Sequence, residues 1–293
     1  MNSKVQSLKA FLASAGRVAV VEVAGTKGST PREKGAFMLV SPTAIFGTIG
    51  GGQLEYMAID KARQMLGKEA RIEVDEVCAT LDVPLGPEIG QCCGGRVEVL
   101  IRLVDAALAG DLVAAAEAEE AHLPYVYIFG GGHVGQALAS AIALLPVHGV
   151  VIETRAEALE GMPETIETRL TAMPEAMVRN APAGAAFAIL THDHALDFLI
   201  VAEALKRGDT AYVGMIGSKT KKATFRTWFL KSADGSQAEF ARLVSPIGGD
   251  TVKDKRPQVI AALAAAEIMT ALVNHNAALN ADHQIPHGKV MAS

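Results

Sequence analysis

Apolar positions along the first part of the chain mostly fall in short, strand-like runs. Val18–Val23 is β-branched, Ala36–Val40 and Ile45–Phe46 are brief apolar runs, Arg71–Val77 alternates in polarity, and Val97–Leu103 closes the series. One helix precedes them and another interrupts them. Ser3 is placed to cap a helix over 4–15 that stops at Gly16. Leu54, Met57, Ala58, Ala62, Met65 and Leu66 recur at helical spacing and predict a second helix ending near Leu66. Asp111–Glu120 reads as an Ala/Glu helix with a solvated acidic face. Together with Pro124 it forms the join between a first domain, 1–120, and a second, 121–293.

The second part alternates strands with helices. Strands are expected at Tyr125–Phe129, His148–Ile152, Thr165–Thr168, Ala185–Leu190 and Ala211–Ile216. Between and after them come a helix over 136–145 and one over 194–207 with Leu196, Leu199, Ile200 and Leu205 inward. Another runs through Phe225, Trp228 and Phe229, and the last spans 258–273. Pro257 sits near the first turn of that last helix, and the tail from Asn274 is polar and expected to fray.

Composition narrows the function classes. A chain of 293 residues is long enough for two domains with cores, and 50% hydrophobic with 20% charged residues is ordinary for a globular protein. A formal charge of −5 gives no overall attraction to nucleic acid or anionic membrane. The apolar run at Ala10–Ala13 is too short for a signal-peptide core, and the longest apolar tracts read as buried helices and strands rather than membrane spans. Three cysteines, two of them adjacent, make no disulfide framework, so a reducing cytoplasm is expected.

The candidate chemistry lies in the turns. Gly130, Gly132 and Gly135 form a G-x-G-x-x-G pattern between a strand and a helix, which lets backbone approach a pyrophosphate at a helix N-terminus. Glu153 falls where such sites hold a ribose hydroxyl, and Arg155 beside it suits a phosphate. The loop from Ala24 to Arg32 combines glycines, hydroxyls and cations and reads as an anion loop in preference to a plain connector between strands. Gly50, Gly51 and Gly52 fit either a ligand pressed on the backbone or a tight structural turn. Cys92 and Cys93, flanked by glycines, suit a soft metal or sulfur chemistry, whereas Cys78 reads as a small buried hydrophobe. His192, Asp193 and His194 follow a strand at its ligand-binding end. They serve as metal or proton groups or, more simply, as helix-capping and surface residues. Ser218, after Gly217 and before three lysines in the next four residues, opens either a further anion turn or a solvated helix face.

Six motifs in order resemble the XdhC/CoxI family of accessory proteins of xanthine dehydrogenase and carbon monoxide dehydrogenase. They are Gly28-Ser29-Thr30-Pro31-Arg32, Gly50-Gly51-Gly52-Gln53-Leu54-Glu55, Gly90-Gln91-Cys92-Cys93-Gly94-Gly95, Gly130-Gly131-Gly132-His133-Val134-Gly135, the run from Thr191 to Asp197, and Gly214-Met215-Ile216-Gly217-Ser218-Lys219. The resemblance covers roughly 16–273. It implies an α/β fold with a small N-terminal α/β domain and a C-terminal Rossmann-like doubly wound parallel sheet. It also implies a carrier rather than an enzyme, one that binds the molybdenum cofactor (molybdopterin). Such a carrier presents the cofactor to a cysteine desulfurase for sulfuration and delivers it to xanthine dehydrogenase, with a homodimer left open. On that view the cofactor residues are those singled out above, from Arg32 and Gly50–Gly52 to Ser218, with Cys92 or Cys93 facing molybdenum. Glu153 stands where the family usually has Asp, and Gln258 where Glu is common. Two other classes compete: an NAD(P)-dependent oxidoreductase on the glycine turn, and an assembly scaffold whose turn holds no ligand.

Overall fold

The computed structural model describes residues 3–67, 78–86 and 94–283. The strand expected over 71–77 and the cysteine pair at 92 and 93 lie outside the described residues. The chain divides into two compact units, 2–121 and 122–293.

The N-terminal unit runs α1 (Lys4–Ser14), β1 (Ala19–Lys27), β2 (Phe37–Val40), β3 (Ile45–Gly47), α2 (Gly52–Gly67), β4 (Cys78–Pro84), β5 (Arg96–Leu103) and α3 (Ala106–Ala121). Its sheet is antiparallel throughout, in the order β3-β2-β1-β5-β4. Side-chain alternation along β1 sends Ala19, Val21 and Val23 into a core under α2, while Val20 and neighbouring Val18 face α1 and α3. The Ser3 hydroxyl accepts from the Gln6 amide, as its capping role requires. The helix expected over 111–120 begins earlier, at Ala106. It is an integral layer of this unit, packing Leu108, Leu112, Val113 and Ala116 against Val5 and Leu8. Its acidic face is partly paired, Glu119 with Lys4 and Glu117 with Lys9. Cys78 is exposed rather than buried, because residues 78–84 form a strand, β4, with only β5 beside it.

The C-terminal unit contains β6 (Tyr125–Phe129), α4 (His133–Ile142), β7 (His148–Glu153), β8 (Glu167–Leu170), α5 (Pro174–Arg179), β9 (Ala186–Ile189), α6 (His194–Lys206), β10 (Tyr212–Met215), α7 (Lys219–Ser232), α8 (Gln237–Ala241), β11 (Leu243–Val244) and α9 (Pro257–His283). All its strands are parallel, in the order β11-β10-β9-β6-β7-β8. The order reverses between β6 and its neighbours β7 and β9, so this is a Rossmann-like doubly wound sheet with its crevice at the carboxyl ends of those strands. Alternation again assigns the faces. Tyr127 and Phe129 pack toward α5, α6 and α7, and Val126 and Ile128 toward α4 and α9.

Two expectations are corrected here. Helix α9 continues to His283 instead of fraying at Asn274, because Ala277, Ala278 and Leu279 are strong helix formers and no Gly or Pro intervenes. Over Pro257–Leu279 this helix is long and apolar enough to cross a membrane. Here Ala261, Ala264, Ile268 and Leu272 are buried in the core shared with α4. In α6, Leu199 points outward at 48% exposure. The buried stripe is Asp197, Ile200, Val201, Ala204 and Leu205, so a carboxylate takes an inward position.

Phe225 anchors the aromatic side of this core, with its ring 5.2 Å from those of Phe198 and Phe229 and 6.0 Å from that of Trp228. Phe225→Ala is expected to lower unfolding free energy by about 3–5 kcal/mol, read from urea denaturation.

Candidate functional site

The strand β6 delivers the chain into the glycine turn at the centre of the parallel sheet. Its three motif glycines have different physical reasons. Gly130 holds φ +109°, and a Cβ there would stand 2.6 Å from the Leu190 carbonyl oxygen at the end of β9. A Cβ at Gly135 would stand 1.9 Å from the carbonyl oxygen of Gly130, so the first turn of α4 closes directly on the loop. The intervening Gly131 meets the Ala158 carbonyl oxygen at 2.3 Å. Gly132 alone of the four faces open space, with nothing within 4 Å of a Cβ built on it. It is the N-cap of α4, and no side chain caps that helix, which leaves its positive end uncovered at Gly132.

The turn is held from β7. Glu153 is 4% exposed, and its carboxylate accepts from the Gly131 amide at 2.9 Å, from the Thr154 amide and hydroxyl at 2.8 and 3.1 Å, and from the Arg155 amide at 3.2 Å. The Arg155 guanidinium adds a bond at 3.2 Å. Burial pushes the Glu153 pKa up, but the bonds from Arg155, Gly131 and Thr154 outweigh it and hold it at about 2. Both oxygens of Glu153 are thus engaged by protein, and Arg155 is its partner.

The next turn on this edge contains the His-Asp-His run. Asp193 caps α6, its carboxylate accepting from Ala195 at 2.8 Å and Leu196 at 3.4 Å. His192 and His194 are exposed, and among the described residues no group of three metal-ligating side chains gathers. The inward group is Asp197, fully buried. It accepts from the Thr191 amide at 3.1 Å and hydroxyl at 2.6 Å, and forms an ion pair with Lys221, which also donates to the Ile216 carbonyl at 3.0 Å. This pair ties the end of β9 to the end of β10. Lys221 is therefore neither a solvated lysine nor an anion ligand. Reading Asp197 on the inward stripe of α6 would have found it. Ser218 caps α7, accepting from the Lys221 amide at 3.2 Å.

In the N-terminal unit the structure brings three of the six motifs together. A Cβ on Gly50 would lie 2.7 Å from Pro31, and one on Gly95 would lie 2.1 Å from the Ser29 carbonyl oxygen. The loop after β1 therefore touches both the Gly50–Gly52 turn and the glycines that follow the cysteine pair in sequence. Gly50, Gly51 and Gly52 all have positive φ, at 123°, 76° and 66°. Glu55 braces them, accepting from the Thr48 hydroxyl at 2.5 Å and from the Ile49 and Gly51 amides at 3.0 Å. Burial raises the Glu55 pKa, and these bonds more than offset it, lowering it overall. Arg32, exposed, forms no ion pair among the described residues.

Two outcomes test this reading of the turns. Gly135→Ala is expected to lose about 3 kcal/mol or more of stability through backbone collision, whereas Gly132→Ala stays within about 1 kcal/mol of the parent, by urea denaturation. Glu153 has a folded pKa below its unfolded value near 4.5, so its contribution is complete above that value and is lost as pH falls toward 2. Screened by solvent at half-exposed Arg155, it amounts to about 2 kcal/mol. Between pH 5 and 2, Glu153→Gln should show a flatter stability profile than the parent.

The comparisons with known proteins agree with this geometry. A family model described as the XdhC Rossmann domain matches residues 126–268, and one described as the XdhC and CoxI family matches residues 11–75. A relative from Escherichia coli (strain K12), the uncharacterized protein YqeB, is 27% identical over 270 residues, 86% of this chain and 43% of the relative. The chain thus spans less than half the length of that relative. A crystal structure described as a xanthine dehydrogenase from Bacillus halodurans aligns with TM-score 0.75 at 18% identity, over 93% of this chain and 96% of that one. That likeness shows the shared fold. The two family models fall in order, one on each compact unit, and the chain belongs to the XdhC and CoxI family.

Proposed function

We propose that this protein is an accessory carrier that binds the molybdenum cofactor, holds it for sulfuration by a cysteine desulfurase and passes it to xanthine dehydrogenase in the cytoplasm. The observation that carries the proposal is Gly132. Its neighbours need glycine for packing, but Gly132 sits uncapped at a helix N-terminus beside open space. A phosphate or pyrophosphate there meets unpaired N–H donors and the positive helix end. The cofactor's phosphate end fits that chemistry, and family membership supplies the context. When bound, the cofactor supplies a molybdenum centre whose ligand is exchanged by the partner. The role of this chain is to hold and shield it. Arg32 and the hydroxyls of the loop after β1 suit an anionic group, and Cys92 or Cys93 suits the soft metal.

An NAD(P)-dependent oxidoreductase is the competing reading, favoured by an acidic residue at the end of β7. It is weakened because both Glu153 oxygens already accept from Gly131, Thr154 and Arg155. Protein purified from a cofactor-replete host, then denatured, is expected to release pterin and molybdenum at about one per chain. Gly132→Ala, and Cys92→Ala or Cys93→Ala, should each lower that yield. Saturable calorimetric binding of NADH or NADPH, with no pterin or molybdenum released, would replace this reading with the oxidoreductase.

A further inference from the structure

A second opening lies in the C-terminal unit, where β10 ends and α7 begins. It is a cavity of about 540 Å³, within the range of small-molecule sites. Its walls are apolar at Ile216, Pro246, Ile247, Val252 and Ile260. Its rim is charged, and the charges do not cancel. Asp250 faces Lys219 at 3.3 Å, and Asp254 is gripped by Arg256 at 2.5 Å. Both rim acids are therefore engaged. Lys253 and Lys255 also line the cavity, are exposed, and make no ion pair or hydrogen bond among the described residues. Helix α7, 14 residues long, starts at the same rim; Ser218 caps its Lys221 amide, and no acidic residue in its first turn offsets its positive end.

The geometry points to a binding site for a nucleoside monophosphate in this cavity. The heterocycle rests on the apolar wall, and the phosphate is held by Lys253, Lys255 and the start of α7. A small inorganic anion would use the lysines and leave the wall idle, and a purely apolar ligand would leave the two lysines uncompensated. Ser218 in its lining is also among the residues the family resemblance gives to the cofactor, so the inference rests on and deepens the carrier reading, at a different strand end from Gly132.

Calorimetric titration of the full chain with CMP, GMP, AMP and inorganic phosphate tests it. At least one nucleotide should bind saturably, and Lys253→Ala combined with Lys255→Ala should weaken it tenfold or more. Inorganic phosphate should bind at least tenfold more weakly than that nucleotide. Gly132→Ala, at the other turn, should change its affinity less than twofold. The proposal is overturned by absence of saturation at millimolar nucleotide, by equal binding in the double lysine variant, by phosphate matching the nucleotide, or by loss of nucleotide binding in Gly132→Ala.

Discussion

One buried carboxylate sets the geometry of the parallel-sheet unit. Glu153 can remain ionised at 4% exposure only because donors surround it, and one of those donors is the amide of Gly131. The requirement runs both ways. Satisfying the charge pulls the glycine turn against the end of β7, and the turn in turn lies close enough to Leu190 and Ala158 that Cβ atoms at Gly130 and Gly131 would collide. The start of α4 is then fixed, with Gly135 closed on the Gly130 carbonyl and Gly132 facing outward. The direction of the helix end follows from where a negative charge had to be paired.

The N-terminal unit uses the same device on an antiparallel sheet. Glu55, near the start of α2, accepts the amide of Gly51 as Glu153 accepts that of Gly131. A carboxylate that collects turn amides stabilises glycines at positive φ without any ligand. That accounts for the shape of the Gly50–Gly52 turn, and the contact of Gly50 with Pro31 accounts for the absence of a side chain there. Gly51, with nothing within 4 Å of a Cβ, is the position where the tight-turn account leaves room for something else.

Much of this was legible in the sequence. Strands such as Tyr125–Phe129 and the G-x-G-x-x-G turn announce a Rossmann-like unit because parallel strands are buried on both faces and read as continuous apolar runs. The capping box of Ser236 and Glu239 also stood in the sequence and marks the start of α8, which was not expected. Other features need the third dimension. Strand β11 is two residues long and exists only by pairing with β10. The partnership of Asp197 with Lys221 joins residues 24 positions apart on separate helices, and neither residue signals burial by type. Cys78 was misread because a small sulfur side chain suggests a core, while strand β4 leaves it exposed.

A glycine motif records two different constraints that the sequence writes with the same letter. One is the space denied to a Cβ by the protein's own backbone; the other is space kept clear for something that is not protein. Gly130, Gly131, Gly135, Gly50 and Gly95 belong to the first kind, because carbonyl oxygens or a proline ring occupy the place of the missing carbon. Gly132 does not belong to the first, since its φ of −69° would suit any residue and nothing crowds it; the proposed function gives it to the second. No contact with the protein demands glycine there, although an N-cap position accepts it readily. Most of the G-x-G-x-x-G pattern thus records the packing of a helix on a sheet, and only Gly132 stands outside that constraint.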